Sequence, residues 1–516
     1  MGYYKKISFL LGYSCLFYST IYGCAIPDRE SFVKIFSLAL SVVPEITKEK
    51  REVPCEFDEE EYYSLHEVTW VDYAVGYFAA KTGIIVHGFF TQQQLQEKLK
   101  AFNVTQLLQE GPKPNQVLSI AAQQLIVESL LPFDRIIDTH LHNLGYDEGN
   151  YLNPKAGSLK KAKWLDYFTF LLLRYASGME EPIGSTQQAR ERLQQYVAHF
   201  PKFEGIVLPI HPAYSQEGIL LLEATGNSLS NESALKTALT TTSNLYPATS
   251  VHPFDPFWEE KLEQASAIGI KVVKWMPPQS IPPDSPLLIP YYKKLAALNM
   301  TLLAHSGPEH AIPTNELNYM WADWGNPLRF REALKLGVPV ILAHSGHKEL
   351  IPDLDDASGK LVPGHTLFLR LAREAHQKNQ TGEWTGKLYG DLAAVTTHYG
   401  PEFTKELLVA SQEEGIKFVY GTDYPYTNLI QPGKDAYQLF AQAGLLDPKY
   451  PPLLNEIRQW NPLLANFVFT FHIALEHEGK KLHFPLATFN GDFEDGRLLL
   501  IDEQKWQNYY NRETLF

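Results

Sequence analysis

The stretch Arg135-Ile136-Ile137-Asp138-Thr139-His140-Leu141-His142 is a short apolar, β-branched run that turns polar at its end. Side chains on a strand alternate between faces, so Asp138, His140 and His142 are expected on one side and Thr139 and Leu141 on the other. Two imidazoles on one face can grip a single metal ion, but two ordinary histidines at a strand end give the same pattern. The rest of the chain has to decide between these readings.

Seven further runs of the same kind follow: Gly205 to His211, Ala248 to His252, Ile268 to Met276, Met300 to His305, Val338 to His344, Lys387 to Val395 and Ile416 to Asp423. Amphipathic helical segments separate them, as in Phe257 to Ala267, Pro290 to Leu298, Pro327 to Leu336, Leu367 to Gln377 and Glu402 to Glu413. Eight strands alternating with helices predict an α/β fold, a (β/α)8 TIM barrel, whose site lies at the C-terminal strand ends. A doubly wound open sheet fits less well. No glycine-rich phosphate loop follows the first run, and polar residues recur at nearly all eight run ends rather than at one switch point. The long connections Asn143 to Phe200 and Leu220 to Tyr246 would then lie at the mouth of the barrel as a lid or substrate wall.

The chain has 516 residues, enough for one large domain with extensions or for two to three domains. Its 45 basic and 59 acidic residues leave a net charge of −14, so a nucleic-acid binder with a broad basic footprint is excluded. A hydrophobic content of 45% against 20% charged residues is globular rather than disordered. Beyond the N-terminus no apolar run reaches the roughly 20 residues that span a bilayer.

Residues 1–24 read as an export signal. Lys5 and Lys6 precede an uncharged stretch from Ile7 to Gly23, and Ile21-Tyr22-Gly23-Cys24 resembles a bacterial lipobox with Cys24 as the lipidated residue. Cleavage there removes Cys15 and leaves Cys55 as the one other thiol, so no intrachain disulfide is expected. The expectation is an exported protein, periplasmic or anchored to a membrane through its N-terminal lipid. Residues 25–133 read as an N-terminal helical extension, with helical patterns at Gln92 to Phe102 and Val117 to Leu131 and an acidic cluster at Glu56 to Glu61. The barrel is expected over 134–470 and a C-terminal extension over 471–516, the tail including a helix at Leu453 to Phe469 and a strand-like piece at Arg497 to Leu500.

The chemistry sits at the run ends. The fifth finishes Ala304-His305-Ser306-Gly307, the sixth Ala343-His344-Ser345-Gly346, and the eighth Gly421-Thr422-Asp423-Tyr424-Pro425. With His140 and His142 they form a set of nitrogen and oxygen ligands that suits zinc and is tolerated by iron or manganese. Lys274 ends the fourth run, and His211 and His252 end the second and third. All three are candidates to line the substrate cavity, with a buried ion pair for Lys274 and backbone hydrogen bonds for the two histidines as the alternatives.

The ordered series of Asp-x-His-x-His, two Ala-His-Ser-Gly turns and Gly-Thr-Asp-Tyr-Pro resembles the amidohydrolase superfamily over about residues 134–470. The likeness is to its amidohydrolase-related group, which includes zinc-dependent decarboxylases of carboxylated aromatic acids. The resemblance implies that His140, His142, His305 and Asp423 hold one divalent metal, zinc first, with His344 beside the metal's water and Asp423 as the proton acceptor. It implies a hydrolase of a C–N or C–O bond in a small organic substrate, with a nonoxidative decarboxylase or an inactive exported binding protein as alternatives. In binuclear relatives a lysine on the fourth strand bridges two metals. One metal is favoured here, with Lys274 contacting an anionic substrate group. Asp391, at the end of the seventh run, is expected to support the site from behind. Related barrels commonly form homodimers.

Overall fold

The computed structural model describes residues 117–152, 177, 179, 185–241, 244–309, 322–393, 395, 400–425 and 433–514. The export signal, Cys24, most of the N-terminal extension and the greater part of the first long connection lie outside them. Among the described residues no helix is long and apolar enough to cross a membrane.

The chain is mixed α/β, with its main strands in two parallel sheets. Helix α1 (Ile120–Leu130) leads into β1 (Ile136–Leu141), and helices then alternate with strands. The order is α2 (Ser185–Ala198), β2 (Phe203–Val207), α3 (Asn231–Thr240), β3 (Leu245–Pro247), α4 (Trp258–Ala267), β4 (Val272–Trp275), α5 (Ile289–Ala297) and β5 (Thr301–Ala304). It continues with α6 (Arg331–Lys335), β6 (Val340–Leu342), α7 (Gly364–Gln380), β7 (Leu388–Asp391), α8 (Pro401–Glu413) and β8 (Phe418–Val419). Of the eight expected strands, seven overlap their runs; the third, Leu245–Pro247, ends just ahead of the run Ala248 to His252, which contributes only the bridge at Thr249, and both long connections carry a helix.

Strands β1, β2 and β3 pair in parallel in that order, and β4 to β8 form a second parallel sheet in chain order. Backbone bonds link the sheet edges on both sides. On one side Thr249 pairs with Val273, through Thr249 N–H to the Val272 carbonyl at 2.9 Å and Lys274 N–H to the Thr249 carbonyl at 2.8 Å. On the other, Leu141 pairs with Tyr424, while Asp423 N–H donates to the His140 carbonyl and His142 N–H to the Tyr424 carbonyl, each at 2.7 Å.

Alternate strand residues feed two separate cores, because both faces of these strands are covered. Ile137, Ile206, Val272, Leu303, Ile341 and Val419 gather in one cluster, closed by Leu498 and Leu500 of the tail. Ile136, Phe203, Val273, Leu302, Val340 and Phe418 pack in the other, among the helices. Strict alternation stops where the chemistry begins. The β1–β2 register slips between Asp138 and Leu141, a bulge of the kind that re-aims side chains beside active sites.

In the tail the single helix expected at Leu453 to Phe469 is two, α9 (Tyr450–Trp460) and α10 (Pro462–Phe471). Pro462 has no N–H to continue the first helix and biases Asn461 to an extended conformation. The Asn461 side chain then caps the second helix by accepting from the N–H groups of Leu463 and Leu464. The strand-like piece at Arg497 to Leu500 is reduced to the two-residue strand Gly496–Arg497, with Leu498 and Leu500 buried.

Candidate metal centre

Side chains of His140, His142 and Asp423 converge so that one ligand atom from each lies within 4.8 Å of the others, and all three are buried. Nε2 of His140 is 3.5 Å from Asp423 Oδ1, and Nε2 of His142 is 4.0 Å from the same oxygen. A tetrahedral ion with bonds of about 2.1 Å sets its ligand atoms about 3.4 Å apart, so small side-chain movements fit these donors to a zinc-like ion.

Hydrogen bonds behind the rings fix which nitrogen faces the centre. Nδ1 of His140 lies 2.7 Å from Asp391 Oδ2, and Nδ1 of His142 lies 2.8 Å from the Leu208 carbonyl. An oxygen acceptor takes the Nδ1 proton and leaves the Nε2 lone pair on the Asp423 side, where that of His140 also faces Lys274 Nζ at 3.2 Å. Burial, followed by the charge of Lys274 and neighbouring histidines, holds the His140 pKa well below its ordinary value. His142 is lowered likewise by burial, then by His140 and Lys274. Both rings are thus neutral at pH 7, as ligation requires.

Asp391 organises more than one ring. Its Oδ1 accepts from the backbone N–H of His344 at 2.6 Å and of Ala393 at 3.2 Å. The expected supporting role of Asp391 thus has a geometry, a fully buried carboxylate tying β7 to β1 and to the turn after β6. Asp138 does similar work at the bulge without joining the ligand group. Its Oδ1 accepts from the N–H groups of His140 and Thr422, both at 3.0 Å, and its Oδ2 accepts from Thr422 Oγ1 at 2.6 Å. This clamp holds the residue preceding Asp423, which itself sits at φ +58°, in the left-handed region. Strain of this kind persists where surrounding contacts enforce it. Burial raises the Asp138 pKa to about 7, the bonds from Thr422 and His140 pulling the other way.

The two His-Ser-Gly turns have a shared logic. Ser306 Oγ donates to the Ala343 carbonyl, and Ser345 Oγ donates to the Asp391 carbonyl at 2.6 Å, so each serine latches its turn to the next strand end. Gly307 adopts φ +83°, and a Cβ there would meet His347 Cβ at 2.3 Å. His344 (φ +58°) places its Nδ1 3.0 Å from the Ala393 carbonyl, with its ring centroid 5.3 Å from that of His140. Burial and the neighbouring His305 lower the His344 pKa to about 4.

Of the other expected ligands, His305 lies beside the group without belonging to it. Its ring centroid is 5.1 Å from that of His344, its Nδ1 3.3 Å from Glu309 Oε2 and its Nε2 3.3 Å from the Pro308 carbonyl. Lys274 is buried, with Nζ 3.2 Å from His140 Nε2. Burial lowers its pKa to about 8, against the opposing charges of Asp391, Asp423 and Glu309. His211 and His252 have backbone partners at both ring nitrogens. Nε2 of His211 accepts from Met276 N–H at 3.0 Å while its Nδ1 lies 3.0 Å from the Pro212 carbonyl. His252 Nδ1 accepts from Phe254 N–H and its Nε2 faces the Gln279 carbonyl, both at 3.1 Å. That bonding matches the backbone alternative, and a substrate contact by either ring would use its edge rather than a nitrogen. Glu309 is the site residue that sequence reasoning missed.

No family model matches the chain, and no curated protein does. Several solved structures are similar to it, two of which follow. One is described as a probable 2-pyrone-4,6-dicarboxylic acid hydrolase from Acinetobacter baumannii with citric acid bound. It is 15% identical with a TM-score of 0.36, over 65% of this chain and 100% of that one. The other, described as a 2-pyrone-4,6-dicarboxylic acid hydrolase from Pseudomonas putida, is 15% identical with a TM-score of 0.34, over 65% of this chain and 98% of that one. Likenesses at this level carry no functional weight, so the reading below stands on the site.

Proposed function

We propose that the chain is a metal-dependent hydrolase of the amidohydrolase type, built on a (β/α)8 barrel over residues 134–470 and acting on a C–N or C–O bond of a small organic molecule. The edge-to-edge bonds at Thr249–Val273 and Leu141–Tyr424 support closure of the two sheets into that barrel. One observation carries the functional reading. His140 and His142 each anchor Nδ1 on an oxygen acceptor and direct a neutral Nε2 at the Asp423 carboxylate.

His140, His142 and Asp423 would hold the ion, with His305 turning in as a further ligand. A bound divalent ion supplies two things there, a lowered pKa for water and polarisation of a substrate carbonyl. Asp423 accepts the proton that water gives up and returns it to the leaving amine or alkoxide. His344, neutral and held through Nδ1–H on the Ala393 carbonyl, offers its Nε2 lone pair to a proton of the attacking water and orients it. Lys274 offers its ammonium to an anionic group of the substrate. Export through residues 1–24, a lipid on Cys24 and pairing into a homodimer belong to the same proposal.

The test is a panel of esters, amides, lactones and carboxylates incubated with metal-replete protein in ¹⁸O-water. Label entering the product without carbon dioxide release supports the hydrolase. Carbon dioxide release would replace it with the nonoxidative decarboxylase, and inertness across the panel with the exported binding protein.

A further inference from the structure

Four histidines surround the centre, and all four have Nδ1 beside an oxygen. For His140 this is Asp391 at 2.7 Å, for His142 the Leu208 carbonyl at 2.8 Å, for His344 the Ala393 carbonyl at 3.0 Å and for His305 Glu309 at 3.3 Å. Three of these pairings join different strand ends. The fourth is local, because the chain turns at the left-handed Gly307 and brings Glu309 back to Nδ1 of His305 four residues earlier. The Glu309 side chain is only 9% exposed there. Its charge also bears on Lys274 and Asp423.

We propose that Glu309 is the positioning residue of His305, holding that ring by its Nδ1–H as Asp391 holds His140, so that Nε2 of His305 is the nitrogen offered to the ion. This rests on the metal-centre reading above and assigns a role to a residue outside the sequence motifs. The competing arrangement is an Nε2–H donated to the Pro308 carbonyl, which has hydrogen-bond geometry at 3.3 Å, whereas Nδ1 and Glu309 stand at ion-pair distance. In that case the Nδ1 lone pair faces a carboxylate. A hydrogen bond to an ionised acceptor is about twice as strong as one to a neutral carbonyl, and the rejected arrangement also sets lone pair against anion, so the Nδ1–H form wins. Two carboxylate-backed rings, His140 through Asp391 and His305 through Glu309, then approach the ion from different strands, and outer partners of this kind set ring orientation and ligand basicity.

Two readouts on the full chain test this. Long-range ¹H–¹⁵N spectra of histidine-labelled, metal-stripped protein, with His305 assigned from the signals lost in H305Q, report the protonation form of the ring. The Nδ1–H tautomer is expected in wild type and Glu309→Gln, whose amide oxygen still accepts, and a switch to Nε2–H is expected in Glu309→Ala. Zinc affinity by chelator competition should fall about 10- to 100-fold in Glu309→Ala and by no more than roughly threefold in Glu309→Gln. A wild-type His305 found as Nε2–H or as imidazolium would overturn the proposal, as would wild-type zinc affinity in Glu309→Ala. Were the wild-type chain to bind no zinc, the metal reading would fall, while the His305 tautomer alone would still decide the role of Glu309.

Discussion

Replacing Asp391 with asparagine separates the site's architecture from its chemistry. In the native protein one carboxylate oxygen takes two backbone N–H groups, from His344 and Ala393, and the other takes Nδ1 of His140. Asparagine keeps its carbonyl oxygen where the two backbone donors are, which turns its NH2 group toward His140. The imidazole then meets a donor at Nδ1 and is stabilised as the Nε2–H tautomer, which has no lone pair for a metal. Restoring the ligand form breaks that neutral bond and leaves two buried donors face to face, together about 2–4 kcal/mol. With 1.4 kcal/mol to each factor of ten, zinc affinity should drop about 100-fold or more. Folding stability should move little, within about 2 kcal/mol, because the bonds of Asp391 are replaced and a carboxylate that burial already disfavours is removed, against the loss of the Lys274 Nζ to His140 Nε2 bond. Chelator competition reads the affinity, and urea unfolding of the metal-stripped protein reads the stability. Affinity within threefold of wild type would refute the tautomer argument, and a large loss of stability would reduce Asp391 to scaffolding.

Two further perturbations test the frame around the site. Gly307→Ala adds a Cβ where His347 stands 2.3 Å away, on a residue at φ +83°, and should lower stability by about 2 kcal/mol or more, read as a fall in Tm with parallel loss of bound zinc. His472 joins α10 to α1 through Nε2 and Ser129 Oγ, 2.9 Å apart, while burial and the charges of His483, Lys449 and Lys481 lower its pKa to about 4. A histidine whose folded pKa lies below its unfolded value of about 6.5 contributes stability above pH 6.5 and loses it as pH falls toward 4. Urea midpoints measured from pH 7.5 to 4 should therefore fall more steeply in wild type than in His472→Gln, by roughly 2 kcal/mol after allowance for partial exposure. Equal slopes would remove His472 as a source of the acid sensitivity.

Much of this arrangement was legible because short apolar runs ending in polar residues carry both the strand and the address of the site. That rule put His140, His142 and Asp423 at strand ends, while their grouping as ligands and the supporting role of Asp391 came with the family resemblance. The bulge at Asp138 was not legible. A strand pattern assumes strict alternation, and only the register with β2 shows the slip that directs the Asp138 carboxylate to Thr422. Glu309 lies in an irregular turn with no period to read, and its one signal was the Gly307-Pro308 pair that reverses the chain. His211 and His252 lie four and five residues past the ends of β2 and β3, and their ring nitrogens bond backbone groups of Met276 and Gln279 beyond β4, a pairing that depends on tertiary contact. The division of Leu453 to Phe469 at Asn461-Pro462 could have been read directly, since proline after asparagine both stops one helix and caps the next.

The central claim is that His140, His142 and Asp423 hold a catalytic ion. Elemental mass spectrometry of the purified protein lacking residues 1–24, beside His140→Ala and Asp423→Asn, addresses it directly. The expected result is close to one equivalent of zinc, iron or manganese in the wild type and a sharp fall in both variants. No bound metal under metal-replete conditions, or full occupancy in both variants, would contradict it.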